Sequence, residues 1–176
     1  MKLIITTLII FLSLSVKGQG LKVKAEQEIV EQFKEYVSLN FQKLKIPKEI
    51  KKEIEENAKQ RFFRSEVYHW EVFYKDSLIA NAYLDNVLGR TQPITFLVIL
   101  DLDGNIKYNS IVKYRSHKGG AVKNRSWLEQ FIGKNSTSGF KVGSDIQAVS
   151  GATYSVRSLT RGFNKILLLH QKIVGK

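Results

Sequence analysis

The run Ile94-Thr95-Phe96-Leu97-Val98-Ile99-Leu100 constrains this chain more than any other segment. Seven residues with a single hydroxyl among them are too few for a helix and suit a strand buried on both faces. Asp101-Leu102-Asp103-Gly104-Asn105 then supplies a tight turn, and Ile106 to Tyr114 returns as an antiparallel strand. Upstream, Val67 to Tyr74 is rich in aromatic and β-branched residues. Lys75-Asp76-Ser77 breaks it, and Leu78 to Leu88 continues as a further strand. Asp101, Asp103 and Asn105 faintly echo a calcium loop, but Gly104 holds the fourth loop position and Val112 the twelfth, so a hairpin turn is the better reading.

Helical signals surround these strands. Residues 25–44 read as an amphipathic helix, with Ile29, Phe33, Tyr36, Val37 and Phe41 at three- and four-residue spacing. Pro47 suits the first turn of a second helix, Lys48 to about Phe62, whose mixed charges read as a solvated face. A short helix is expected over Val122 to Ile132, and a loop over Gly133 to Ser144. A last helix begins near Thr153 or Tyr154, with Val156, Leu159, Phe163, Ile166, Leu167 and His170 along one face. The expected fold class is α+β: a mostly antiparallel sheet flanked by N-terminal helices and a C-terminal helix. Residues 19–64 are expected as a helical N-terminal segment, and 65–176 as the domain that carries function.

Residues 1–18 read as a signal peptide. Lys2 gives a minimal positive start, and Leu3 to Val16 has the length of a signal core, short for a membrane span. Gly18 places cleavage before Gln19; the alternative is a retained N-terminal anchor. The reading therefore favours export, to a periplasmic or extracellular space. Loss of Lys2 and Lys17 would lower the net charge from +12 to +10, still a strong bias toward anionic partners such as a phosphorylated cofactor. The chain has no cysteine, which excludes disulfides, thiol nucleophiles and cysteine-held metals.

Familiar enzyme signatures are missing: no His-Glu-x-x-His, no phosphate-binding loop, no Gly-x-Ser-x-Gly, no dinucleotide fingerprint. No catalytic residue and no metal ligand is assigned. His69, His117 and His170 are far apart in sequence and read as structural. One segment stands out, Ser150-Gly151-Ala152-Thr153, at the entrance of the last helix. Its small residues let backbone approach a ligand, and unpaired amides at a helix start attract phosphate. Arg157 and Arg161 follow at one-turn intervals. The plainer reading is that Ser150 or Thr153 only caps the helix.

The wider context resembles a known family. Asp145-Ile146-Gln147-Ala148-Val149-Ser150-Gly151-Ala152-Thr153-Tyr154-Ser155 is similar to the flavinylation segment of the FMN-binding domain family. That family includes the covalent-FMN component of the sodium-translocating NADH:quinone reductase and its counterpart in related ferredoxin-oxidising complexes. Gln92 to Val98, Asp103-Gly104, Tyr114-Arg115 followed by Gly119-Gly120, Trp127 to Lys134 and Ser158 to Gly162 fall in similar order and spacing, from roughly Val67 to His170. The resemblance implies FMN held by a phosphoester to Thr153, attached by a flavin transferase that uses FAD and magnesium. It implies an electron carrier more than a stand-alone enzyme, working with a membrane or extracytoplasmic redox partner; the export signal argues against nucleic acid as a partner. Thr153, Ser150, Gly151, Ala152, Gly119, Gly120 and Thr95 are the implied cofactor-binding residues, and Arg157 joins them because it lies one helical turn from the expected phosphate. Two positions depart from the family pattern: Gln147 stands where an Asp is usual, and Ser116 where an acid is usual, which makes that loop more basic. The alternative to a flavoprotein is a non-catalytic basic module binding polyanions or the cell envelope.

Overall fold

A computed structural model describes residues 20–33 and 35–175. The expected signal peptide and its cleavage point before Gln19 lie outside the described residues. The elements are α1 (Leu21–Glu31), β1 (Ser38–Lys45), α2 (Lys48–Ala58), β2 (Glu66–Tyr74), β3 (Ser77–Leu88), β4 (Pro93–Leu100), β5 (Ile106–Tyr114), a 3-10 turn (Gly120–Lys123), α3 (Arg125–Glu129) and α4 (Thr153–Ile173). The five strands form one antiparallel sheet in the order β1-β2-β3-β4-β5. The fold is α+β, with helices toward the N-terminus and a long C-terminal helix.

The sheet is covered on both faces. Ile94, Phe96, Val98 and Leu100 of β4 join Leu159, Phe163 and Ile166 of α4 in one core. Leu97 and Ile99 point the other way and join Ala25 and Ile29 of α1 with Trp70 of β2. This is the double burial that an uninterrupted apolar strand requires. On the far face Glu26 fixes α1, accepting hydrogen bonds from Trp70 Nε1 at 2.9 Å and Lys22 Nζ at 2.6 Å. Burial pulls the Glu26 carboxyl upward, but those two donors outweigh it and leave it below the ordinary carboxylate range.

The helix expected over residues 25–44 is corrected: α1 ends at Glu31, and Ser38–Lys45 is the edge strand β1. Phe41 pairs across to Trp70 and packs on Tyr68 and Trp70, with ring centroids 5.3 and 5.2 Å away. Spacing of Phe33, Val37 and Phe41 fits a helix stripe, but contact with β2 decides the outcome. The helix expected over 122–132 is likewise shorter, a 3-10 turn followed by five α-helical residues. The aspartate turn is a hairpin connection: Asp101 Oδ1 accepts the Asp103 and Asn105 amides at 3.1 and 2.8 Å.

Two buried polar contacts hold α4 to the sheet. Lys165, fully buried, brings Nζ to 2.7 Å from Asp85 Oδ2 on β3. Charge joins them more than alignment does, since Oδ2 has no well-formed hydrogen bond among the described residues. Lys165 Nζ also donates to the Arg61 carbonyl at 3.1 Å and lies 4.3 Å from the Phe62 ring centre. Further along, Tyr83 OH meets His170 Nδ1 at 2.8 Å, and Tyr83 stacks on His69 with centroids 4.7 Å apart. Two histidines remote in sequence thus share one tyrosine. Burial, helped by repulsion from His69 and opposed by Asp101, pushes His170 down to about 4.

Two outcomes are expected in urea titrations. Lys165→Met strands Asp85 as an uncompensated buried charge and should cost about 3–5 kcal/mol, whereas the double variant Asp85→Leu with Lys165→Met should recover most of it. Equal losses in both variants would show that packing, not charge, is responsible. His170 is neutral when folded, so the unfolded chain binds the extra proton between its ordinary value near 6.5 and about 4. Stability from this residue is complete above that window and falls as pH drops through it. His170→Gln should flatten the slope there; an unchanged slope contradicts the assignment.

Candidate functional site

The start of α4 faces a cavity of about 650 Å³, within the ~300–1,000 Å³ range of ligand pockets. Three stretches line it: Arg90 and Thr91 before β4, Ser116 to Gly119 after β5, and Gly151 to Ser155. Arg90 and Lys118 are cations, and among the described residues no carboxylate lines the cavity. The floor is a helix terminus without a side-chain cap. The N-cap is Ala152, and Thr153 is the first helical residue, its side chain exposed. The first intrahelical bond runs from the Val156 amide to the Ala152 carbonyl at 2.9 Å, so the amides of Thr153, Tyr154 and Ser155 have no helical acceptor. The capping role considered for Ser150 or Thr153 is therefore not the one adopted.

The loop after β5 is fixed to this terminus by one tyrosine. Tyr114 donates its hydroxyl hydrogen to the Lys118 carbonyl at 2.6 Å, so at 2.9 Å from Ser155 Oγ its oxygen must accept. Gly119 closes the corner. Its φ is +78°, and a Cβ there would lie 2.9 Å from Tyr114 OH and 3.1 Å from Ser155 Oγ. Only glycine meets both the backbone angle and the space.

The cavity brings together Gly119, Gly151, Ala152 and Thr153 of the residues singled out in the sequence. Ser150 is exposed beside it, and Gly120 begins the 3-10 turn behind it. Arg157 is exposed one turn along α4 and does not line it. Thr95 is elsewhere: buried, it donates to Asn86 Oδ1 at 2.7 Å, accepts from Arg115 Nη1 at 3.0 Å and lines a second cavity of about 370 Å³. Gln147 is held by its backbone, its carbonyl accepting Trp127 Nε1 at 2.9 Å and its amide donating to Gln130 Oε1 at 2.7 Å. Its side chain is exposed. The exposed Asp145 closes the preceding turn, its Oδ2 accepting the Lys141 amide at 2.8 Å. Arg90, Thr91 and Tyr154 were not singled out. The turn-forming Gly89-Arg90-Thr91-Gln92-Pro93 was the available signal for the first two, but nothing local reveals that it folds over α4.

Residues 89–168 match the model of the FMN-binding domain family. The matched stretch runs from Gly89, next to Arg90 of the cavity lining, through the loop after β5, to most of α4. That stretch is an FMN-binding domain, and the chain is on that ground a flavin-binding protein. No curated protein matches the chain closely enough to add a second comparison.

The residues present fit an FMN phosphate. The uncapped amides, Arg90 and Lys118 offer donors and positive charge without a competing acid, and glycine at 119 leaves the corner open. Gly119→Ala should destabilise the fold by more than Gly133→Ala. Both positions have φ near +78°, a strain of ~1–2 kcal/mol, but a Cβ at Gly133 meets nothing within 4 Å. Thermal unfolding of the two variants measures the difference; equal losses would mean that the Tyr114–Ser155 corner yields freely.

Proposed function

We propose that this chain is an exported electron carrier that holds FMN through a phosphoester to Thr153. The observation that carries the reading is the exposed Thr153 hydroxyl at the first position of an uncapped helix, inside a cation-lined cavity of the FMN-binding domain. Attachment would be catalysed by a separate flavin transferase with FAD and magnesium. The Thr153 oxygen bonds to the flavin-side phosphorus, the pyrophosphate bond breaks, AMP leaves and the hydroxyl proton is lost to the transferase or to water. In this reading Thr153 is a tether and takes no part in turnover.

When bound, FMN would supply reversible one- and two-electron chemistry. The chain's own residues position and tune. The first-turn amides of α4 and the Lys118 ammonium offset phosphate charge. Tyr114 and Ser155 keep the Ser116–Gly119 loop against the helix. Ser116 leaves that loop without an acid, so the loop favours a reduced, anionic ligand over its neutral form. Among the described residues no helix is long and apolar enough to cross a membrane. In this reading residues 1–18 direct export, and electrons come from, and go to, separate proteins outside the cytoplasm.

Co-expression with a flavin transferase should yield yellow protein whose colour survives denaturation and gel filtration. Thr153→Ala should be colourless after the same treatment, and Thr153→Ser should retain some flavin. Covalent flavin on the alanine variant would overturn the assignment. Gln147→Asp restores the family's usual acid on an exposed side chain and is expected to raise the modified fraction without altering stability. An unchanged fraction would show that the transferase reads other features of the segment.

A further inference from the structure

Another cavity, distinct from the one lined by Thr95, adjoins the candidate flavin site. It measures about 530 Å³ and shares Arg90 and Tyr154 with the candidate flavin site. Its remaining walls come from the segment after α2 and from the end of β3. Three large apolar side chains line it while remaining open to solvent: Phe63, Leu88 and Tyr154, at 51%, 50% and 63% exposure. Apolar surface grouped in this way on a charged protein marks an interaction site. The charged residues lining it are Lys59, Arg61 and Arg90, all exposed, with no carboxylate among the described residues.

This wall is built in advance of any partner. Lys59 ends α2 in the left-handed conformation, at φ +50°. Glu55 Oε1 accepts the Phe62 amide at 2.7 Å, and buried Lys165 holds the Arg61 carbonyl. Phe62 is thereby drawn into the core while Arg61 and Phe63 stay outside. A preformed pocket with aromatic anchors and a rim of one charge sign fits a protein that presents an apolar side chain within an acidic patch.

We propose that this groove is the docking surface for an acidic redox protein. The proposal rests on the electron-carrier reading, and it places the partner beside the residue that follows the Thr153 tether. Its sources are the cationic rim, the three exposed apolar side chains and the two residues shared with the flavin cavity. Residues 59–63 and Leu88 precede the stretch matched at 89–168, so much of the groove's lining lies outside it.

The test uses flavin-loaded protein, reduced beforehand, and two haem proteins of opposite charge: the acidic soluble domain of cytochrome b5 and basic cytochrome c. For each two-electron-reduced flavin two ferric haems become ferrous, and one proton passes to water from the anionic reduced form, or two from the neutral one. Stopped-flow measurement should show a second-order rate constant for cytochrome b5 that falls as ionic strength rises. The double variant Lys59→Glu with Arg61→Glu should lower it about tenfold or more at low salt, with the difference closing at high salt. Phe63→Ser with Leu88→Ser should lower it at both. Oxidation by a small neutral quinone should be unchanged in both variants. An unaltered cytochrome b5 rate in both variants, or a faster reaction of the unmodified protein with cytochrome c at low salt, would overturn the proposal. So would binding to phosphatidylglycerol vesicles that depends on Phe63 and Leu88 while the cytochrome b5 rate does not, which would assign the groove to a lipid surface. Titration of flavin-free Thr153→Ala with cytochrome b5 separates the two claims. If unmodified protein acquires no flavin but this titration shows binding sensitive to Lys59 and Arg61, the carrier reading fails and the docking surface stands.

Discussion

The seating of α4 on the sheet is the constraint on which the rest depends. Gly162 lets the helix approach so closely that a Cβ there would lie 2.5 Å from Val87 Cγ1. One turn later the buried Lys165 meets Asp85 of the same strand. A buried ion pair adds little net stability but penalises every arrangement in which one partner is stranded. It therefore fixes the rotation and height of α4 more firmly than apolar contact alone. The N-terminal end of the same helix carries Thr153, so a contact in the core sets where the candidate tether emerges.

The same lysine reaches beyond the matched domain. By holding the Arg61 carbonyl and packing on Phe62 it pins the segment after α2 beside the end of β3. Helix position, the cationic cavity at the helix start and the apolar groove next to it are thus consequences of one set of contacts. The face covered by α1 is fixed separately, through Glu26 and Trp70. That layer covers the far side of β4, where Leu97 and Ile99 pack with Ala25 and Ile29.

Much of this was legible in the residue pattern, for identifiable reasons. Strands β2 to β5 declare themselves because β-branched and aromatic residues run between turn-forming residues, and β4 is apolar on both faces. Strand β1 does not, because Phe33, Val37 and Phe41 repeat at helical spacing and only pairing with β2 reveals the strand. The small residues before Thr153 and the stripe of α4 are local signals and were readable. Convergence of Arg90, Lys118 and Tyr154 on that terminus depends on how three distant loops meet, and Lys165 looks in sequence like any surface lysine. Thr95 illustrates the converse: its neighbourhood resembles the family, yet its hydroxyl is engaged with Asn86 and Arg115 in a different cavity.

The central claim concerns one oxygen atom, and peptide mapping tests it most directly. Trypsin should release residues 142–157 from protein co-expressed with a flavin transferase, a peptide that contains Ser144, Ser150, Thr153, Tyr154 and Ser155. The account predicts that this peptide is fluorescent, is heavier by FMN less one water, and fragments with the added mass on Thr153. Flavin on Ser150 or Ser155, or flavin that leaves the protein on denaturation with the peptide unmodified, would contradict it.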